Sequence, residues 1–285
     1  MSKLIISLTT IRSRINKVDS VINSLLSQAT SVDYKVYLFI SKEPYLLDEG
    51  ISELPPSLIE LERKYPEKFS VQFTENIGPY RKFIPILTEY FHDRLDLEYF
   101  VTVDDDTVYP SHWLEELILA SQKHDCVVAY RGRMLRCDKS KIYSYKQWLH
   151  SSDETLIPDI KTVGTGKDGI IYKPEFFHPD VIDIKSALLH CNHADDLWLK
   201  LHTAINGVPT ALLNASLCDA FSDIGADDDN TLYRKINKHG GNDRAMQNLK
   251  RYFMSRYQLN LLDVFNLNLS RSSTWLAEPF LNSYF

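Results

Sequence analysis

Apolar positions along this chain fall into two alternating rhythms. Residues 4–8 are apolar apart from Ser7, and after a polar turn carrying Thr9, Arg12 and Arg14 the apolar positions recur at Ile15, Val18, Ile22, Leu25 and Leu26. The first pattern predicts a strand and the second, at helical spacing, a helix. Residues 34–41 and 69–73 repeat the strand pattern, with a short helix over 57–65 between them. Strands alternating with helices predict a parallel sheet with crossover helices. Gly78 and Pro79 then punctuate the chain, and Arg81, Lys82, Phe83, Ile86, Leu87 and Tyr90 predict a helix over 81–90. Residues 99–103 are aromatic and β-branched without alternation, as suits a strand buried on both faces. That strand runs into Asp104, Asp105 and Asp106.

Beyond the acids the rhythm is less regular. Ser111 is placed to cap a helix reaching about Lys123, and 126–130 is another strand. Residues 132–163 are polar and aromatic without a clear period, so loops and short hairpins are expected there. Gly164, Gly166 and Gly169 fall within six residues ahead of a short strand at 170–172. A helix over 195–205 stops at Gly207, a last strand spans 208–213, and 227–257 is polar and helical. The tail from Gln258 holds Phe265, Trp275, Phe280, Tyr284 and Phe285. The expected organisation is one α/β domain over 1–245 with a helical, aromatic extension over 246–285 packed on it. No internal repeat, linker or low-complexity tract interrupts it.

Composition narrows the classes of function. At 285 residues and 44% hydrophobic content the chain can bury a large core. A formal net charge of -6 argues against general nucleic-acid binding, which rests on Lys and Arg neutralising phosphates. Cys126, Cys137, Cys191 and Cys218 show no Cys-x-x-Cys spacing, so zinc-ribbon and dithiol chemistry are not expected and a reducing compartment is the default. Residues 1–3 lead straight into a strand too short for a signal-peptide core or a membrane span, and a cytoplasmic location is expected.

The candidate chemistry lies at strand ends. Three adjacent carboxylates raise one another's pKa, and a divalent cation with oxygen ligands relieves the repulsion. At the carboxyl edge of a central strand, where open α/β sheets bind ligands, Asp104, Asp105 and Asp106 are well placed for this. The alternative is an acidic turn capping the next helix. Asp195 and Asp196 open a helix, whose N-terminus keeps carboxylates ionised. One of them near a substrate hydroxyl would serve as a general base, and N-capping alone is the alternative. The turn holding Thr9, Arg12 and Arg14 offers hydroxyl and guanidinium donors to a phosphate or base, or is simply a basic surface; it has no glycine, so it is neither a dinucleotide loop nor a P-loop. The 164–169 loop allows close backbone approach to a ligand, or is a tight hairpin turn. His190, His193 and His202 suit polar neighbours better than metal ligands. His239, followed by Gly240 and Gly241, could reach the sheet edge or end a helix.

In order, an apolar strand ending in an Asp-x-Asp triplet, a glycine-bearing loop, an acid pair with Trp198 downstream, and a late histidine resemble glycosyltransferases of the GT-A fold. The family 2 inverting enzymes are the nearest match, over about residues 1–245. The resemblance implies a Rossmann-like, mostly parallel central sheet with flanking helices and a helical C-terminal extension. It implies an inverting, hexosyltransferase-type enzyme of polysaccharide biosynthesis that uses a nucleoside-diphosphate sugar, a UDP-sugar first, with Mn²⁺ or Mg²⁺, and a glycan or glycolipid acceptor. Carried over, Asp106 is the metal ligand, and Asp104 and Asp105 meet the nucleotide or the metal. Ala194, Asp195 and Asp196 match the family's x-Glu-Asp motif and nominate Asp196 as base, although Asp195 is shorter than the family's Glu. His239 corresponds to a further metal contact, and Thr9, Arg12 and Asn76 fall where such enzymes hold the nucleotide. Tyr143, Tyr145 and Trp148 could stack on an acceptor sugar. The aromatic tail has three placements open to it: a neighbouring subunit, the same domain, or peripheral contact with the inner face of a membrane.

Two other classes share part of the pattern. Residues 101–108 also resemble the Asp-x-Asp-x-(Thr/Val) signature of haloacid-dehalogenase-type phosphatases, with Asp104 as nucleophile and Asp106 as acid. That fold places its nucleophile after the first strand, whereas here three strands come earlier. A calcium-binding EF-hand loop needs glycine at its sixth position, where this chain has Val108 and Tyr109.

Overall fold

A computed structural model describes residues 3–150, 157–213, 221–224, 231 and 235–266. Strands β1 (Leu4–Thr9), β2 (Tyr34–Ile40), β3 (Phe69–Phe73) and β4 (Tyr99–Thr102) come first, and β5 (Thr107–Val108) follows the acid triplet. β6 (Val127–Ala129) precedes β7 (Gly132–Met134), β8 (Leu149–His150) and β9 (Thr162–Gly164), which form a small antiparallel sheet of their own. β10 (Ile170–Tyr172), β11 (Thr210–Leu212) and β12 (Ser222–Asp223) complete the set, β12 pairing with β5. The central sheet has seven strands in the order β11-β6-β10-β4-β1-β2-β3. All its neighbours are parallel except β10, which runs antiparallel between β4 and β6. Helices α1 (Val18–Leu26), α2 (Pro56–Lys64), α3 (Ile84–Phe91), α4 (Trp113–His124), α5 (Ile184–Cys191), α6 (Asp195–Ala204), α7 (Gly241–Tyr257) and α8 (Leu261–Asn266) flank it. This mostly parallel α/β architecture is the one expected, and it is consistent with the GT-A fold.

The sheet separates two cores because strand side chains alternate faces. Leu4, Ile6 and Leu8 of β1 pack with the apolar stripes of α1, α2 and α4, whereas Ile5 joins Phe100 and the residues of α3, α6 and α7. Each large side chain so buried contributes roughly 1.5–3 kcal/mol. Tyr99 and Val101 go to one core and Phe100 to the other, as a strand apolar on both faces requires.

Three departures from expectation bear on the site. The helix expected over 81–90 is broken into a 3₁₀ turn at Gly78–Lys82 and α3, with Phe83 between them at φ -141°. Pro85 is the cause: mid-helix it would lack an N–H for the Arg81 carbonyl and clash with it, so it is tolerated only in the first turn of α3. As a result Arg81 and Lys82 turn inward and are buried. α4 starts at Trp113 rather than Ser111, whose carbonyl instead accepts from the Ala29 N–H. Finally, α7 runs unbroken through residues 245 and 246, where a domain boundary was expected, and Ala245, Met246, Leu249 and Phe253 belong to the main core with Phe265. Trp275, Phe280, Tyr284 and Phe285, with Cys218, lie outside the described residues. No described helix is long and apolar enough to cross a membrane.

Candidate active site

β4 ends at Thr102, and the next three acids turn at the sheet's carboxyl edge with three different environments. Asp104 is braced from behind by the Tyr109 hydroxyl, which accepts from its backbone N–H at 3.1 Å and lies 3.2 Å from its carbonyl. Its carboxylate is 35% exposed and accepts from Lys82 Nζ at 3.1 Å. Asp105 turns back toward β1, accepting from Thr10 Oγ1 at 2.5 Å and Arg14 Nη1 at 2.7 Å. Asp106 shares that guanidinium at 3.3 Å and is 33% exposed. Burial, then Asp104 and Asp105, push its carboxyl up to about 7.

The second acid pair converges on the first through Lys82. Lys82 Nζ lies 3.1 Å from Asp104 Oδ1 and 3.1 Å from Asp195 Oδ2. Burial would pull the ammonium's pKa down, but Asp104, Asp195 and Asp196 more than offset it and hold it well above the ordinary lysine value. Asp195 is buried, whereas Asp196 is partly open and its Oδ2 accepts from the Gly166 N–H at 3.2 Å. Burial and then the Asp195 charge push Asp196 up to about 7.

The glycine-bearing loop closes this arrangement. A Cβ on Gly166 would sit 3.1 Å from Lys82 Nζ, 3.2 Å from Asp104 Oδ1 and 3.4 Å from Asp196 Oδ1. The loop's far root is Gly169 at φ +92°, where a Cβ would lie 2.3 Å from Trp113 Cζ2; the Trp113 indole N–H donates to the Asp168 carbonyl at 2.7 Å. Gly169 needs a residue without a side chain, whereas at Gly166 a methyl would crowd only the flexible ends of Lys82 and the two carboxylates, and this loop is a close backbone approach as well as a turn.

Arg14, Lys82, the three acids of the triplet, Gly166, Asp195 and Asp196 line one cavity of about 720 Å³, together with Thr9, Thr10, Asp48, Arg81, Arg133, Tyr145, His193, Asn237 and Asn242. Its wall near β1 is a buried ion pair, Arg81 Nη1 to Asp48 Oδ2 at 2.9 Å. Asn76 belongs to that wall rather than to the cavity: it donates to the Glu43 carbonyl at 2.6 Å and Asp48 Oδ2 at 3.2 Å, and accepts from the Gly78 N–H at 3.2 Å.

The expected site residues therefore divide. Asp104, Asp105, Asp106, Asp195, Asp196 and Thr9 come together, with the Thr9 hydroxyl committed to the Phe39 carbonyl at 2.8 Å. Arg12 does not join them: it is exposed, its side chain reaches the Gly50 carbonyl at 3.5 Å, and the guanidinium that meets the acids is that of Arg14. His239 is also outside, exposed at the end of a short 3₁₀ turn where Gly240, at φ +84°, sends the chain into α7. His193 lines the cavity instead. Trp198 and His202 are core residues, and Tyr145 lines the cavity with Trp148 buried behind it. Lys82 and Asp48 carried no signal as site residues: one sat in an apparent surface helix, the other in a loop.

An all-oxygen donor set of this kind suits a hard divalent cation. Of the triplet, Asp104 and Asp106 are the carboxylates open to the cavity, and among the described residues no group of three or more His, Cys, Asp or Glu forms a ligand cage. The fit is thus to an ion that takes one or two protein carboxylates and completes its shell with phosphate oxygens and water, as Mg²⁺ does.

No protein-family model matches the chain, and no curated protein matches it in sequence. Among solved structures it is similar to residues 1–349 of TarS from S. aureus in complex with UDP, with 13% identity, TM-score 0.46, and coverage of 92% of this chain and 76% of that one. It is similar also to the mannosyltransferase PcManGT from Pyrobaculum calidifontis in complex with GDP-Man and Mn²⁺, with 11% identity, TM-score 0.48, and coverage of 91% and 65%. Against a longer TarS structure, at 14% identity and TM-score 0.44, the match covers 74% of this chain but only 35% of that one, so the chain spans about a third of its length.

Proposed function

We propose that this chain is a glycosyltransferase, moving a sugar from a nucleoside-diphosphate donor, a UDP-sugar first, to a hydroxyl of a glycan or glycolipid acceptor with inversion. The observation that carries the proposal is the convergence of two acid pairs from distant parts of the chain, Asp104 with Asp106 and Asp195 with Asp196, on one cavity under a glycine loop. The two sets divide the labour. Arg14 and the Asp104–Asp106 turn face the place for the diphosphate, and Asp196 faces the place for the acceptor.

Asp196 accepts the acceptor hydroxyl's proton as that oxygen bonds to the anomeric carbon. The bond from that carbon to the diphosphate oxygen breaks, and the electron pair leaves with the nucleoside diphosphate. Attack from the face opposite the leaving group inverts the configuration. A carboxyl pushed up to about 7 is matched to proton transfer near neutral pH. Arg14 offers its guanidinium to developing phosphate charge. Lys82 holds Asp104 and Asp195 in fixed relation, so that donor and acceptor sides keep their spacing. A Mn²⁺ or Mg²⁺ ion on Asp106 and Asp104 would supply charge neutralisation at the leaving diphosphate.

The test is incubation with UDP-, GDP-, dTDP- and CMP-sugars in Mn²⁺, following nucleotide release and reading the product's anomeric configuration by proton NMR. Release of an intact nucleotide with an inverted product is expected, and retention would remove Asp196 as an inverting base. Trapping of an aspartyl-phosphate at Asp104, or its mimic with beryllium fluoride, would instead make the protein a phosphatase.

A further inference from the structure

Among the described residues six cationic side chains line the cavity, and five of them, Arg14, Arg81, Lys82, Arg131 and Lys167, hold carboxylates at 3.3 Å or less. Among the described residues Arg133 has no carboxylate partner. It stands on β7 with its guanidinium 4.7 Å from the centroid of the Tyr145 ring. Tyr145 is itself fixed: its backbone N–H donates to Asp243 Oδ1 at 2.7 Å, and its ring lies 4.9 Å from that of the buried Trp148. Stacking on an aromatic face orients a guanidinium without neutralising it. Among the described residues, Arg133 is therefore the cavity cation that is preoriented without being held by a carboxylate.

Its place distinguishes it from the groups on the diphosphate side. Arg133 pairs in register with Val163 of β9, and that strand leads on to Gly166, whose N–H is bonded to Asp196. Three residues of extended chain span on the order of 10 Å. Arg133 thus shares a wall with the proposed base but is set back from it, and it comes from β7 rather than from β4 or the turn after β1. A planar guanidinium fork fits an oxyanion bidentately.

We propose that Arg133, held against Tyr145, binds an anionic group on the acceptor, a carboxylate or a phosphate, so that the acceptor is an acidic saccharide rather than a neutral one. The inference rests on the proposed sugar transfer in the same cavity. Its test is equilibrium binding of methyl β-glucuronide, glucose 1-phosphate and neutral methyl β-glucoside, with Mn²⁺ and UDP or GDP, whichever binds, filling the nucleotide side. At least one anionic probe is expected to bind about tenfold or more tighter than the neutral sugar, the level of a charge-assisted hydrogen bond. Which anion leads tells carboxylate from phosphate. In Arg133→Gln that advantage is lost while nucleotide binding is retained. Where Arg133→Gln does not fold, Arg133→Lys carries the test with a reduced preference. Equal binding of charged and neutral probes, or a preference unchanged in these variants, overturns the inference. If neither nucleotide binds, the proposed sugar transfer fails first and takes this inference with it.

Discussion

Asp196 is the residue at which environment and role meet. Burial beside Asp195 pushes its carboxyl up to about 7. Below that pH the group is protonated and idle as a base, and above it ionised, so sugar transfer is expected to rise as pH increases through about 7. An initial-rate profile already flat below that pH would argue against Asp196 as the base. Asp196→Asn should lower turnover by about 10²–10⁴, the usual cost of losing a general base, and leave the nucleotide dissociation constant nearly unchanged. Asp195→Asn is a different case. Asp195 is the buried partner of Lys82 rather than the open carboxylate, so its loss should cost stability, about 3–5 kcal/mol in urea unfolding, as breaking one side of a buried ion pair does. Asp106→Asn should abolish Mn²⁺-dependent nucleotide binding by titration calorimetry with the fold intact, because charge is removed but not volume; activity retained in EDTA would speak against it.

At the scale of elements, the site depends on two short pieces of irregular backbone. The Gly78–Lys82 turn delivers a lysine to the space between two acid-bearing elements, and the 164–169 loop lies over it. The two glycines of that loop should respond differently. A methyl at Gly166 meets the ends of Lys82 and Asp104, which can give by a few tenths of an ångström, so Gly166→Ala should fold with nearly wild-type stability and lose sugar transfer by about tenfold or more, the penalty of a misplaced group. A methyl at Gly169 meets the rigid Trp113 ring at 2.3 Å on a backbone with φ +92°, so Gly169→Ala should instead cost stability, on the order of 2 kcal/mol or more. Comparing urea midpoints with rates for the two variants separates a site effect from a folding effect.

Over the whole molecule, α7 is part of the domain core rather than an appendage. Its Leu249, Tyr252 and Phe253 pack with α6 residues Trp198 and His202, the Phe253 and His202 rings 5.2 Å apart. A chain ending at residue 240 should therefore fail to fold cooperatively, shown by loss of a sharp calorimetric transition. His202 adds an acid limit. Burial pulls its imidazole down to about 3, so as pH falls below about 6.5 the unfolded chain takes up a proton that the folded chain refuses. Stability is complete above about 6.5 and declines toward pH 3, by as much as about 5 kcal/mol from this group. His202→Phe should flatten that part of the unfolding free energy against pH.

Local pattern was enough for much of this molecule. The strand and helix alternation, the twofold burial of residues 99–102, the carboxylates at a strand end and at a helix start, and the glycine loop all follow from periodicities and backbone preferences that a neighbour or two can express. What local pattern could not decide was which side chains meet. Arg14 rather than Arg12 reaches Asp105, 91 residues away, because the turn after β1 presents one basic residue to the sheet edge and the other to solvent. His239 faces outward and Asn76 serves the wall, since each is placed by the turn next to it and by partners far along the chain. Lys82 enters the site because Pro85 breaks a helix that apolar spacing alone would have continued, and only the approach of the β4 end to the start of α6 supplies the carboxylates that make its burial tolerable.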